Sequence, residues 1–162
     1  MAATSFDPRN PQVTSHYGVP QIIPARTEAV STNFKAGELV YYAAGAPTVV
    51  TVSTKVNGIA LVDSTNASPG TASVPVQLIG PEDEVLVRVA SDASGTLALA
   101  STLQAGNDYA VASVSNLVYI VGNDTTGGQF VFVAPVLDAA GNSTYWGRFK
   151  PHSTLGFTAQ IA

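Results

Sequence analysis

Cysteine is absent from the 162 residues, which excludes disulfide staples, thiolate nucleophiles and Cys-ligated zinc. Histidine occurs only at His16 and His152, so a metal cage or a His-centred catalytic group has little to draw on. No Gly-x-Ser-x-Gly elbow, glycine-rich phosphate loop or His-Glu-x-x-His helix is present. Charge is scarce: 11% of residues are Asp, Glu, Lys or Arg, against roughly 25% in ordinary soluble domains. The seven Lys and Arg are scattered from Arg9 to Lys150 and the net charge is −4, so no basic stripe exists to grip a nucleic-acid backbone. No apolar run approaches the ~18 residues that span a bilayer, and no basic segment leads into an apolar one at the start. A soluble protein is expected, with no membrane span and no secretory signal.

What the chain does have is 46% hydrophobic residues in a length that suits one well-buried core. With so few ionic groups, much of the outer surface must be Thr, Ser, Asn, Ala and Val. Such a surface tolerates cover by another protein, because few charges need desolvating. This points to an oligomer or an assembly component.

Composition divides the chain near residue 30. Pro8, Pro11, Pro20 and Pro24, four of the ten prolines, precede residue 25. Proline fixes φ and removes a backbone donor, so this stretch is neither a helix nor a central strand. Residues 1–30 are read as an extended arm, able to reach on the order of 90 Å when stretched. Its apolar beads are Phe6, Val13, Tyr17, Val19, Ile22 and Ile23. Two alternatives stand: a disordered tail, or an arm that orders on a partner.

Residues 31–162 are read as one β-sandwich or β-barrel domain. Short β-type runs recur about every 8–12 residues between turn residues, and no window carries a helical apolar period with caps. Leu39-Val40-Tyr41-Tyr42 opens the series, followed by the β-branched run 48–54. Asn57-Gly58 reads as a tight turn before residues 59–62. Pro75 within Val74-Pro75-Val76-Gln77-Leu78-Ile79 predicts an edge strand or the first residues of one. In Val85-Leu86-Val87-Arg88-Val89 the valines mark a core face and Arg88 the outward one. Further strands are expected at 96–100, 108–114, 117–121 and 129–134, with at most one helical turn at 101–105. Phe130-Val131-Phe132-Val133 is apolar on both faces, which suits burial in the chain's own core or cover by a neighbouring subunit.

The segment 142–162 carries Tyr145, Trp146, Arg148, Phe149 and Phe157 among Lys150 and His152. Aromatics with arginine are enriched at binding hot spots, and they serve equally as the closing strand of a barrel. Candidate partner-binding residues are therefore Phe6, Val13, Tyr17, Ile22 and Ile23 in the arm, and Tyr145, Trp146, Arg148 and Phe149 near the C-terminus. The one carboxylate cluster, Glu82-Asp83-Glu84, falls short of the about six to eight oxygens of a calcium cage and reads as a solvated turn. Asp124 reads as part of a hairpin loop, and the Asn-x-Ser/Thr triplets at Asn66, Asn123 and Asn142 as polar loops. No catalytic residue, cofactor or metal ligand is expected, so the chain is not read as an enzyme.

Ala36-Gly37-Glu38-Leu39-Val40 is followed by Val56-Asn57-Gly58-Ile59-Ala60-Leu61-Val62-Asp63, then by Val74-Pro75-Val76-Gln77-Leu78-Ile79-Gly80 and Val85-Leu86-Val87-Arg88-Val89. Over about 100 residues this order resembles the small β-rich head decoration (cement) proteins of tailed bacteriophages. The resemblance implies a protein made in the host cytoplasm that docks on the outside of the capsid, binds the major capsid protein and stiffens the shell. It also implies self-association, as a trimer or a dimer, and no nucleic-acid, membrane or small-molecule partner. The long arm and the aromatic C-terminal segment depart from the compact family pattern. A carbohydrate-binding or adhesin-type β-sandwich, with Tyr145 and Trp146 as a sugar platform, is the alternative from another class.

Overall fold

The computed structural model describes residues 12–15, 21–50, 55–80, 82–114, 117–125 and 128–152, the first of these as backbone. The described chain is all β, with one 3-10 turn at Ala100–Thr102. In chain order the strands are β1 Gln12–Ser15, β2 Ile22–Thr27, β3 Leu39–Ala43, β4 Ala46–Val49, β5 Gly58–Ala60 and β6 Ser73–Leu78. They continue as β7 Glu84–Ala90, β8 Asp108–Tyr109, β9 Val111–Val114, β10 Leu117–Val121, β11 Phe130–Leu137 and β12 Ser143–Pro151.

One sheet runs β8-β11-β12-β7-β10-β9. Its two end strands, β8 and β9, are pieces of a single course of chain interrupted at Ala110, with β8 on β11 and β9 on β10. The sheet therefore curls back on itself into a nearly closed barrel, which removes the exposed edges of an open sheet. At the interruption the ladder is completed by a side chain: buried Gln129 accepts the Val111 N–H on Oε1 at 3.0 Å. The barrel is filled by Val85, Val87 and Val89 from β7, Val111, Val118 and Ile120 from β9 and β10, and Phe130, Phe132 and Phe149. Gly147 makes room for these rings, since a Cβ there would lie 2.7 Å from Phe149 Cε2 and 3.0 Å from Phe132 Cε2.

The second sheet runs β2-β6-β5-β3-β4 and packs on the barrel. Alternation splits its side chains. Leu39 and Ile59 join the barrel core, while Val40, Ala60, Val74 and Val76 gather round Phe34 in a second cluster. The sheet is thus buried on both faces over much of its area.

Three expectations are corrected and a fourth, on Pro75, is narrowed. Asn57-Gly58 is not a turn: Gly58 opens β5, and a Cβ there would fall 2.2 Å from the Gln77 carbonyl oxygen and 2.7 Å from Val76 Cγ1. The glycine allows two strands to approach closely. Of the two readings of Pro75 the edge fails, because β6 is flanked by both β5 and β2, while Pro75 does lie among the first residues of the strand; its missing N–H falls where β2 bulges between Ile23 and Arg26. The run 96–100 supplies only an isolated bridge, Leu97 to Ala90, before the 3-10 turn. Arg88 does face away from the valines, but that face is covered and Arg88 is 4% exposed. Of the run 48–54, residues 51–54 lie outside the described residues.

Candidate contact surface: edge strand, seam and outer face of the barrel

Among the candidate residues, Phe6 and Tyr17 lie outside the described residues, and Val13 is placed by its backbone opposite Val85. Ile22 is exposed and Ile23 half-buried on β2, the outermost strand of the second sheet. β12 carries the other four. It is a barrel strand between β11 and β7, so the closing-strand alternative describes this segment. Trp146 is 1% exposed and Phe149 wholly buried, which corrects their reading as contact residues: both are spent on the protein's own core. Burial of Trp146 also removes the sugar platform that the adhesin reading needs. Tyr145 is half-buried, and Arg148 is exposed.

The barrel wall has a seam that the sequence reading missed. β10 pairs with β7 in parallel only at Ile120 and Val121, opposite Val89 and Ala90. Beyond that point the two strands part. Into the gap Gly37, at φ 86, turns the chain so that Glu38 enters from the start of β3. Glu38 Oε2 accepts the Val118 N–H at 2.9 Å, replacing the backbone acceptor that β7 no longer offers. Its Oε1 receives both Arg88 terminal nitrogens, at 3.2 and 3.1 Å. The Arg88 guanidinium lies between the rings of Tyr119 and Trp146, at 5.4 and 5.3 Å from their centroids. Burial pushes the Glu38 carboxyl above the usual carboxylate range, against the opposing pull of the Arg88 charge and the Val118 N–H. Further along β7, where the gap continues, β1 pairs with Glu84, Val85 and Leu86.

A second buried carboxylate fixes the loop between β5 and β6. Glu28 accepts from the Thr65 amide at 2.8 Å, the Thr71 amide at 3.0 Å, the Ala72 amide at 3.1 Å and the Thr65 hydroxyl. Burial alone would raise this carboxyl; the Thr65 hydroxyl and the three amides outweigh it and hold Glu28 below its ordinary value. The same loop is tied to residues 31–36 through Ser64 to Phe34, Ala67 to Ser31 and Asp63 to Lys35 and Ala36.

On the outer face of β12 the polar side chains form a ladder. Arg148 bonds Glu84 at 2.6 Å, Lys150 lies 3.8 Å from Glu82, and His152 Nε2 is 3.1 Å from Asp108 Oδ2. The triplet Glu82-Asp83-Glu84 therefore splits three ways, its buried middle member accepting the Gly80 N–H at 2.7 Å. Asp124 takes part in the barrel closure, its carbonyl accepting the Ala110 N–H. Among the described residues no three His, Asp or Glu side chains gather as a metal site. No described helix is long and apolar enough to cross a membrane.

No protein-family model, curated protein or solved structure matches this chain.

Proposed function

We propose that this chain is a capsid decoration protein that binds the outer surface of an icosahedral phage head and braces contacts between major capsid protein subunits. The observation that carries the reading is how the protein disposes of its few charges. Glu38 with Arg88, Lys35 with Asp63, Arg148 with Glu84 and Lys150 with Glu82 set charges against each other within the chain. Much of the remaining surface is small and uncharged, punctuated by exposed Ile22, Val30, Leu61, Val62, Leu99 and Leu137. Covering such a surface desolvates few ionic groups, which suits a protein whose work is contact. The segments that carry the resemblance to decoration proteins fall on β3, β5 and β6 of the second sheet and on β7 of the barrel.

The reading places the protein on the virion exterior as a small homo-oligomer whose repeated weak contacts add up through multivalency. It gives no part to a cofactor, a nucleic acid or a small-molecule substrate. The test is electron microscopy of the protein mixed with mature, undecorated phage heads. Density at fixed, symmetry-related sites on the outer surface is expected. Bare shells across a panel of heads, at micromolar protein, would refute the assignment.

A further inference from the structure

Arg26 is an exception in a chain that sets its few charges against each other. Among the described residues Lys35, Arg88, Arg148 and Lys150 each face a carboxylate, whereas Arg26 and Lys55 do not. Arg26 is exposed on β2, the outermost strand of the second sheet. Its cross-strand partner is Val74, so both side chains stand on the face that holds the cluster round Phe34. The sheet brings its far strand β4 back toward this end of β2: the Ala29 N–H donates to the Pro47 carbonyl at 3.0 Å, and the Thr32 and Thr48 hydroxyls lie 2.8 Å apart. The β3–β4 hairpin thereby meets Arg26. At its tip Gly45 turns at φ 83, and a Cβ there would lie 3.5 Å from Arg26 Nη1.

Tyr42, opposite Pro47 in the same hairpin, packs its ring against the same cluster. Its hydroxyl is buried and has no hydrogen-bond partner. Burial pushes the Tyr42 hydroxyl above its ordinary value, with the Arg26 charge opposing, so the guanidinium is near enough to be felt there. Two groups that need an acceptor thus meet where the described residues offer none. A guanidinium can only donate, and a buried phenol hydrogen without an acceptor carries its full desolvation cost. Buried polar atoms are otherwise nearly all paired, so an orphan beside an uncompensated cation marks a place for a missing acceptor. An oxyanion supplies it, with one oxygen for the guanidinium fork and one for the hydroxyl. A single positive charge and one neutral donor match a single negative charge, which favours a carboxylate over a phosphate dianion.

We propose that Arg26 and Tyr42 form a carboxylate site, filled by an aspartate or glutamate side chain on the surface of the protein partner. The guanidinium moves out to meet the carboxylate and uncovers the hydroxyl, which donates to the second oxygen. The exposed place of Arg26 on an outer strand lets a side chain carried by another protein reach it. The identity of the partner rests on the decoration reading; the site itself does not.

The site is tested on the full-length protein with sodium acetate as the probe, against sodium chloride at matched ionic strength. The Arg26 Nε–H and Tyr42 ring resonances should shift to saturation with acetate and not with chloride. Arg26→Gln, read at the Tyr42 ring, should weaken acetate about tenfold, and Tyr42→Phe, read at Arg26, several-fold. Without acetate, Tyr42→Phe should keep or raise the urea midpoint, because it removes an orphan; a lower midpoint would mean that the hydroxyl is already bonded within the chain, and the site would fall. Shifts that never saturate, or that survive Arg26→Gln, mean an adventitious ion only and overturn the site, as does binding of inorganic phosphate in place of acetate. On heads that take up the native protein, Arg26→Gln should cut occupancy about tenfold while Lys35→Gln leaves it unchanged; equal occupancy for Arg26→Gln would overturn the partner's carboxylate. Heads that take up no native protein would count against the decoration reading, and the acetate titration would still decide the site.

Discussion

Arg88→Met cuts into the seam of the barrel and yields a stability change with a definite pH signature. The substitution removes both donors to Glu38 and the charge held between Tyr119 and Trp146, and leaves a carboxylate of 0% exposure with the Val118 N–H. Removing one partner of a buried ion pair costs about 3–5 kcal/mol, and the lost ring contacts add roughly 1 kcal/mol. Methionine packing returns part of this, so a net loss of about 3–4 kcal/mol is expected, two to three powers of ten in the unfolding constant. The Glu38 carboxyl, already pushed up by burial, rises further once Arg88 no longer opposes the shift. A folded carboxyl with a raised value holds its proton after the unfolded one has released it. Between about pH 4.3 and the raised value the folded state therefore binds more protons, and stability falls as pH rises. The deficit against the native protein should be full above that window and shrink toward pH 4. Urea unfolding followed by fluorescence of Trp146, the one tryptophan, reads the site directly. Adding Glu38→Gln should recover much of the loss, because the amide oxygen still accepts the Val118 N–H. A loss below about 1 kcal/mol at pH 7, or one that does not shrink in acid, would refute the reasoning.

Glu28→Gln should cost about 2–3 kcal/mol, since one carboxylate serves four donors. Because the folded Glu28 value is lowered, its contribution is present above about pH 4.3 and lost as pH falls through the folded value. Thermal melts of the variant should therefore lack the acid-side loss that Glu28 contributes to the native protein, and the Thr71 and Ala72 amides should exchange faster. Gly58→Ala should lose at least about 2 kcal/mol by denaturant midpoint, because the methyl would meet the Gln77 backbone rather than a mobile side chain. Gln129→Leu leaves the buried Val111 N–H without its acceptor at the barrel closure and should cost about 1–3 kcal/mol in the same assay.

The all-β class was legible because β-branched runs and turn residues repeat at strand spacing, and the β7 valines alternate as a core face should. The errors share a cause: local rules were applied where a distant segment decided the outcome. Asn57-Gly58 has the composition of a turn, yet β6 needs its glycine for close approach. Pro75 has the signature of an edge, and β6 would be one but for β2, more than 45 residues earlier in the chain. Arg88 alternates outward as expected; its cover comes from Glu38, 50 positions away in sequence. An acid directly before the apolar start of β3, in a chain so poor in charge, was the available signal for that pair. Trp146 and Phe149 illustrate a composition shared by hot spots and cores, which only the pairing of β12 with β7 and β11 separates.

The central claim is that this protein works by bracing a shell, and the direct measurement is the temperature at which phage heads rupture. Undecorated heads, with and without saturating protein, are heated while DNA release is followed by an intercalating dye. The account predicts rupture at a distinctly higher temperature with the protein bound. Unchanged rupture at full occupancy of the shell, or heads that take up no protein, would contradict it.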